Sequence, residues 1–99
     1  MTTFKDLKFE KKWNGVGSHH TFDNGITLSV QAGIGIYSTP RENHSSAEDY
    51  SSFEIAIWDE NNEFITQDIV PKANDWGGEV AGWQSRENID EIISLIKLK

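Results

Sequence analysis

The chain has 99 residues, a formal net charge of −7 and no cysteine. This length gives room for one domain, residues 1–99, and the lack of cysteine excludes disulfides, cysteine-based zinc sites and a cysteine nucleophile. Eleven aromatic residues are more than a disordered chain carries, and no apolar run approaches the roughly 20 residues that a membrane span needs.

Alternating apolar and polar residues predict two strands near the start of the chain. Lys5–Trp13 alternates and is predicted as a half-buried strand, and Asn14-Gly15 predicts the turn after it. His19–Phe22 is predicted as a second, short strand. The apolar face of the first strand holds Leu7, Phe9 and Trp13.

The clearest alternation follows the predicted Asp23–Gly25 hairpin turn. It predicts one long strand over Ile26–Tyr37, with glycines on its polar face at Gly33 and Gly35. Glycines at such positions predict a bulge, or a place where another group comes close to the backbone. The apolar face holds Ile26, Leu28, Val30, Ala32, Ile34 and Ile36.

The central part of the chain predicts a hairpin between two irregular segments. Ser38–Ser52 is polar and longer than most connections, so it is predicted as a functional or mobile loop. Phe53–Asp59 is predicted as a strand with Phe53, Ile55 and Ile57 inward, which turns at 60–63 into a partner strand, Phe64–Ile69. Lys72–Gly82 is predicted as a loop.

A helix is predicted at the C-terminal end, with Ser85 as its N-cap. Acidic residues in its first turns and lysines in its last suit the helix dipole. The predicted fold class is therefore α+β, an antiparallel meander of four to five strands with this helix packed on one face. The apolar stripe of the helix holds Ile89, Ile92, Ile93 and Ile96, widened by Leu95 and Leu98.

No motif for catalysis, a metal or a cofactor emerges, so we expect a protein without a cofactor that is not an enzyme. His19 and His20 are adjacent in a strand and point to opposite faces, so they cannot readily hold one metal ion. No serine lies in a Gly-x-Ser-x-Gly turn. Gly33-Ile34-Gly35 lacks the third glycine of a dinucleotide-binding loop, because Ser38 stands at that position.

Aromatic and arginine side chains instead predict a recognition surface, because these residue types stack on bases and anchor interfaces. Tyr37 and Arg41 come from the segment after the long strand, and the others from the later loop and the helix start. Trp58 and Trp83 can equally be core or core-edge residues. The predicted ligand-binding residues are Tyr37, Arg41, Trp76, Trp83, Arg86 and His20.

The order of these segments resembles that of a broad group of small uncharacterised proteins encoded by tailed bacteriophages and prophages. The similarity lies in the hairpin His20–Gly25, the loop Gly35–Glu42, the strand Phe53–Trp58, the segment Asp75–Trp83 and the isoleucine-rich helix. This resemblance implies a phage protein that acts on a host process, including host defence, in the bacterial cytoplasm. Residues 1–12 lead into no apolar stretch, which agrees with that location.

The negative charge is concentrated in the second half of the chain. Glu42–Glu91 holds thirteen acidic residues and two basic ones, Lys72 and Arg86. Such a surface repels phosphates, so direct nucleic-acid binding is not expected, and no membrane binding is expected either. The acidic half can steer the protein towards a basic partner, or it can simply keep the protein soluble.

Three functional hypotheses follow. In the first, a homo-oligomeric binding protein neutralises a host defence factor by sequestering a small nucleotide signal, with bases stacked on the aromatic residues and phosphates met by Arg41 and Arg86. In the second, the acidic half inhibits a basic host protein as a DNA mimic does. In the third, the chain is a small hydrolase that depends on His19 or His20. Self-association is expected because the outer sheet face carries Ala56 and Trp58.

Overall fold

The computed structural model describes residues 2–99, which form a five-stranded antiparallel sheet and a C-terminal helix packed on it. The strands pair in chain order, so the sheet is a meander, and the predicted fold class is confirmed. The strands are β1 (Glu10–Lys12), β2 (Gly15–Thr21), β3 (Thr27–Gly33), β4 (Ser52–Trp58) and β5 (Val80–Ser85). The helices are α1 (Thr66–Ile69) and α2 (Arg86–Lys97), and 3-10 turns form at Phe4–Asp6, Ala47–Asp49 and Pro71–Trp76.

The core lies between the inner face of the sheet and α2. In β4 every second residue is buried, and the register places Ile57 opposite Leu28 and Ile55 opposite Val30 of β3. The Ser85 hydroxyl accepts a hydrogen bond of 3.1 Å from the Asn88 N–H, which starts α2 where the sequence predicts. The predicted helix stripe is buried at all four isoleucines, Ile89, Ile92, Ile93 and Ile96.

The first predicted strand is mostly wrong. Only Glu10–Lys12 pairs with the sheet, and a 3-10 turn occupies part of the stretch before it. Leu7 is buried as predicted, but Trp13 belongs to the turn between β1 and β2 and is 84% exposed. The second strand is longer than predicted, because it begins at Gly15 directly after this turn.

The long strand also ends earlier than predicted, at Gly33. The backbone of Gly33 has φ +151°, and a Cβ added there would lie 2.1 Å from the Asn14 carbonyl oxygen. The group that comes close to the glycine is therefore the neighbouring turn of the same chain. Ile34, which the alternation placed on the buried face, is 50% exposed.

The predicted strand Phe64–Ile69 is mostly wrong. Phe64 forms one antiparallel bridge with Trp58 across the predicted turn, and the chain then enters α1. The buried Thr66 hydroxyl accepts a hydrogen bond from the Ile57 N–H (2.9 Å) and donates to the Glu79 carbonyl (2.7 Å), which turns the chain across the end of β4. The strand that pairs with the edge of β4 opposite β3 is β5, and it starts inside the stretch predicted as a loop. Leu95 and Leu98 do not widen the buried stripe of α2, since they are 39% and 84% exposed.

Candidate ligand-binding site

Three aromatic side chains from separate parts of the chain form one row, which we call the aromatic row: Tyr37, Trp83 and Trp76. The rings of Tyr37 and Trp83 stack with centroids 5.0 Å apart and planes 25° apart, and Trp76 follows 6.3 Å from Trp83. The Arg41 guanidinium lies 5.4 Å from the Tyr37 ring centroid, within cation–π range. Four of the six predicted site residues are therefore brought together.

The backbone holds Tyr37 against β5. The Trp83 N–H donates a hydrogen bond of 2.9 Å to the Tyr37 carbonyl, and a Cβ on Gly82 would lie 2.7 Å from the Tyr37 Cβ. Glycine is therefore required at position 82 for the tyrosine to pack this closely. The next residue, Trp83, has a left-handed backbone with φ +53°, a conformation that costs about 1–3 kcal/mol in residues other than glycine and concentrates at functional sites.

Two charged side chains lie beside Tyr37. The Arg41 Nε–H donates to the Ile36 carbonyl at 3.1 Å, which fixes the guanidinium while its terminal nitrogens remain available. The Glu54 carboxylate accepts a hydrogen bond of 3.4 Å from the Tyr37 N–H. Burial raises the pKa of Glu54, and the Tyr37 hydrogen bond and the positive charge of Arg41 oppose that rise. The row therefore has a positive and a negative group at its Tyr37 end.

An open groove of about 410 Å³ lies at the other end of the row. Trp83 is 44% exposed and Trp76 is partly buried, so the groove presents indole surface to solvent. Lys72 supplies a positive charge there. The groove therefore offers a ligand an exposed indole surface and one positive charge. Its other lining residues are Val70, Pro71, Gly82, Gln84 and Asn88.

Arg86 makes its contacts elsewhere. Its guanidinium lies 5.3 Å from the Phe4 ring and 5.4 Å from the Phe53 ring, and it donates a hydrogen bond of 3.0 Å to the Ala47 carbonyl. These contacts fasten the N-terminal segment to the start of α2. The side chain is therefore engaged in packing rather than turned towards the aromatic row.

His20 is also separate from the row. Its ring meets Phe22 edge to face at 4.6 Å and lines a different cavity, of about 550 Å³, together with Asp23 and Lys97. His19 stands on the opposite sheet face, edge to face with Trp58 at 5.3 Å. The two histidines thus point apart, as the strand prediction requires, and the hydrolase hypothesis stays a prediction.

Sequence reasoning missed three residues that shape the site: Gly82, Glu54 and Lys72. Gly82 precedes a predicted site tryptophan, and a glycine there is a signal for close backbone approach. Glu54 lies on the outward parity of β4, which places it beside the row. Across residues 2–99, no group of three His, Asp or Glu side chains is arranged to hold a metal ion. No helix in that range is long and apolar enough to cross a membrane.

Comparisons with protein-family models, with curated proteins and with solved structures found no match to this chain. The resemblance to small phage proteins therefore stays a prediction. The function of the site is therefore inferred from the residues of this chain alone.

Proposed function

We propose that this is a non-enzymatic binding protein whose aromatic row holds a nucleotide. The observation that carries the proposal is the meeting of Tyr37, Trp83 and Trp76, from three separate segments, with a tryptophan ring left exposed at the groove. Stacking of a base on an aromatic side chain contributes about 1–3 kcal/mol and tolerates different bases. In this proposal the base stacks on the part of the Trp83 ring that Tyr37 leaves uncovered, beside Trp76.

The charges beside the row suit a ligand of low negative charge. Arg41 is available at the Tyr37 end and Lys72 at the groove end, and each can meet one phosphate. The Glu54 carboxylate beside Tyr37 disfavours a long polyphosphate chain. The ligand that fits best is therefore a mono- or dinucleotide. The phage resemblance adds a biological setting, in which the protein sequesters a nucleotide signal of host defence.

A thermal-shift screen against linear and cyclic nucleotides tests the proposal. A ligand at a hundred times its Kd adds about 2.7 kcal/mol to the free energy of unfolding, which raises the melting temperature clearly. Trp76→Ala and Arg41→Ala should lose the shift. Phe64→Ala is the matched control, because it removes an exposed aromatic side chain outside the row. A flat screen, or equal shifts in all four proteins, would reject the nucleotide site.

The acidic surface supports a second candidate, an inhibitor of a basic protein. Of the thirteen acidic residues from Glu42 to Glu91, eleven are exposed. In the part of the chain that the structure describes, Glu42 is the one among them in a salt bridge, 3.0 Å from His44. Affinity purification from a bacterial lysate at low and high salt tests it. A partner held by this surface is lost steeply as salt rises, whereas a stacked nucleotide is lost much less.

A further inference from the structure

Two exposed apolar side chains lie at one end of the sheet: Trp13, in the turn between β1 and β2, and Ile34, in the turn that follows β3. Lys11 and Lys12, the last two residues of β1, come directly before Trp13. We call this set, with Asn14, the hairpin tip. Tryptophan is among the residues that most often anchor protein interfaces, and Trp13 is 84% exposed. The tip takes no part in the aromatic row.

Hydrogen bonds hold the tip in one conformation. The Ile34 N–H donates to the Asn14 carbonyl at 2.9 Å, and the Asn14 amide donates back to the Ile34 carbonyl at 2.8 Å. The Asn43 amide donates to the Trp13 carbonyl at 3.1 Å. Trp13 is therefore presented on an ordered backbone, which lowers the entropy lost on binding.

A groove of matching chemistry lies at the far side of the molecule. It runs between α1 and the end of α2, has a volume of about 430 Å³, and is lined by Ile69, Leu95 and Leu98. Ile69 and Leu95 also line a smaller, adjoining cleft of about 170 Å³, which reaches Glu91. We call these two cavities together the helix groove. A cavity of about 430 Å³ lies within the size range of pockets that hold small ring compounds.

The charges of the two surfaces are complementary. The tip carries Lys11 and Lys12, of which Lys12 is 3.5 Å from Glu10. The rim of the helix groove carries Asp68 and Glu91 against Lys99, and it lies in the acidic half of the chain. A basic tip is attracted to such a rim.

We propose that the hairpin tip of one copy binds the helix groove of a second copy, so that the protein associates head to tail. The tip cannot reach its own groove. It lies at the β1 edge of the sheet, whereas α1 packs on β4 and β5, three to four strand spacings or about 14–19 Å away. Different surfaces meet in this contact, so repeated association gives a ring or an open chain of copies.

Sedimentation velocity over a wide range of protein concentration tests the proposal. The contact is small, so association is weak and the average mass should rise with concentration. Trp13→Ser and Leu98→Glu should each keep the protein monomeric. Both side chains are 84% exposed, so neither change removes core packing, and circular dichroism checks the fold. Phe64→Ala, an exposed aromatic residue outside both surfaces, is the matched control and should associate as the wild type does.

Mixing the two variants separates head-to-tail contact from a symmetric dimer. Trp13→Ser retains the groove and Leu98→Glu retains the tip, so an equal mixture should form a dimer that grows no further. A wild-type protein that stays monomeric at every concentration overturns the proposal, as does a mixture that does not associate. Binding of a monomeric wild type to anionic lipid vesicles through Trp13 would also overturn it, because the tip would then be a membrane contact.

Discussion

Gly82→Ala is the sharpest perturbation of the aromatic row, because one methyl group is added where Tyr37 packs. The new Cβ would lie 2.7 Å from the Tyr37 Cβ, closer than such atoms approach one another, and 3.3 Å from its Cγ, which is a tight contact. The backbone of Gly82 does not have a positive φ, so alanine brings no backbone strain of its own. The substitution therefore acts by pushing Tyr37 away from β5 and from Trp83.

The expected cost follows from two terms. Added volume at a packed site costs about 1–3 kcal/mol, and loss of an aromatic stack costs about 0.5–1.5 kcal/mol when the ring moves instead of the strand. Alanine in a strand regains about 0.5–1 kcal/mol relative to glycine. The two costs less this gain give an expected fall of about 0.5–4 kcal/mol in the free energy of unfolding. A fall of about 2 kcal/mol, near the middle of this range, lowers the melting temperature of a domain this size by roughly 8–16 °C.

Urea denaturation measures the free energy of unfolding, and a nucleotide titration measures the affinity of the site for its ligand. Gly17→Ala is the matched control, because its new Cβ would meet mainly the flexible end of Lys12, 3.2 Å away. We expect Gly17→Ala to keep the stability and ligand affinity of the wild type. We expect both quantities to be lower in Gly82→Ala. If Gly82→Ala is as stable as Gly17→Ala and binds ligand equally well, the close packing of Tyr37 on Gly82 does not hold the row together.

Three further substitutions test buried or partly buried polar groups of the fold. Thr66→Val should lower the free energy of unfolding by about 2–4 kcal/mol in urea denaturation, because it leaves the Ile57 N–H and the Glu79 carbonyl without their partner; a loss below about 1 kcal/mol contradicts this role. Ser18→Ala should leave stability unchanged or raise it by about 1 kcal/mol, since the buried Ser18 hydroxyl has no hydrogen-bond partner within residues 2–99; a clear loss would reveal one. Glu54→Gln should raise stability at neutral pH and lose that advantage as the pH falls. The pKa of Glu54 is raised by burial, so the wild type regains stability when this carboxylate takes up a proton; a pH-independent difference would refute the effect.

Much of the fold can be predicted from the spacing of apolar residues along the sequence. Strand β4 and helix α2 bury the alternating residues and the isoleucine stripe that the sequence predicts, because each element presents one apolar face to the same core. Strand β5 was missed, since Val80–Ser85 has no alternation and is defined only by pairing with β4 across an irregular register. Phe64–Ile69 has the composition of a strand, but the buried hydrogen bonds of Thr66 turn it into α1. Such tertiary contacts leave no local pattern.

The candidate site, too, could be predicted only in part from the sequence. Residue type alone predicts Tyr37, Trp76 and Trp83 as stacking residues, yet their meeting depends on the loop that brings Tyr37 to β5. Arg86 has the same chemical character as Arg41, but its neighbours are Phe4 and Phe53, which lie 82 and 33 positions away in the sequence. The sequence does not distinguish an arginine that is partly buried between two rings of the core, as Arg86 is, from one that stays exposed at the surface, as Arg41 does.

The contacts between the start of the described chain and α2 determine the order in which this fold forms. The Phe4 N–H donates to the Asp90 carboxylate, 86 positions along the chain, and the Lys97 ammonium donates to the Thr2 carbonyl, 95 positions away. The meander needs only neighbouring strands, whereas these contacts close almost the longest loop the chain allows. We therefore expect the hairpins to form in the folding transition state and the N-terminal segment to dock after it. Removal of the Asp90 carboxylate should then speed unfolding and leave the folding rate nearly unchanged.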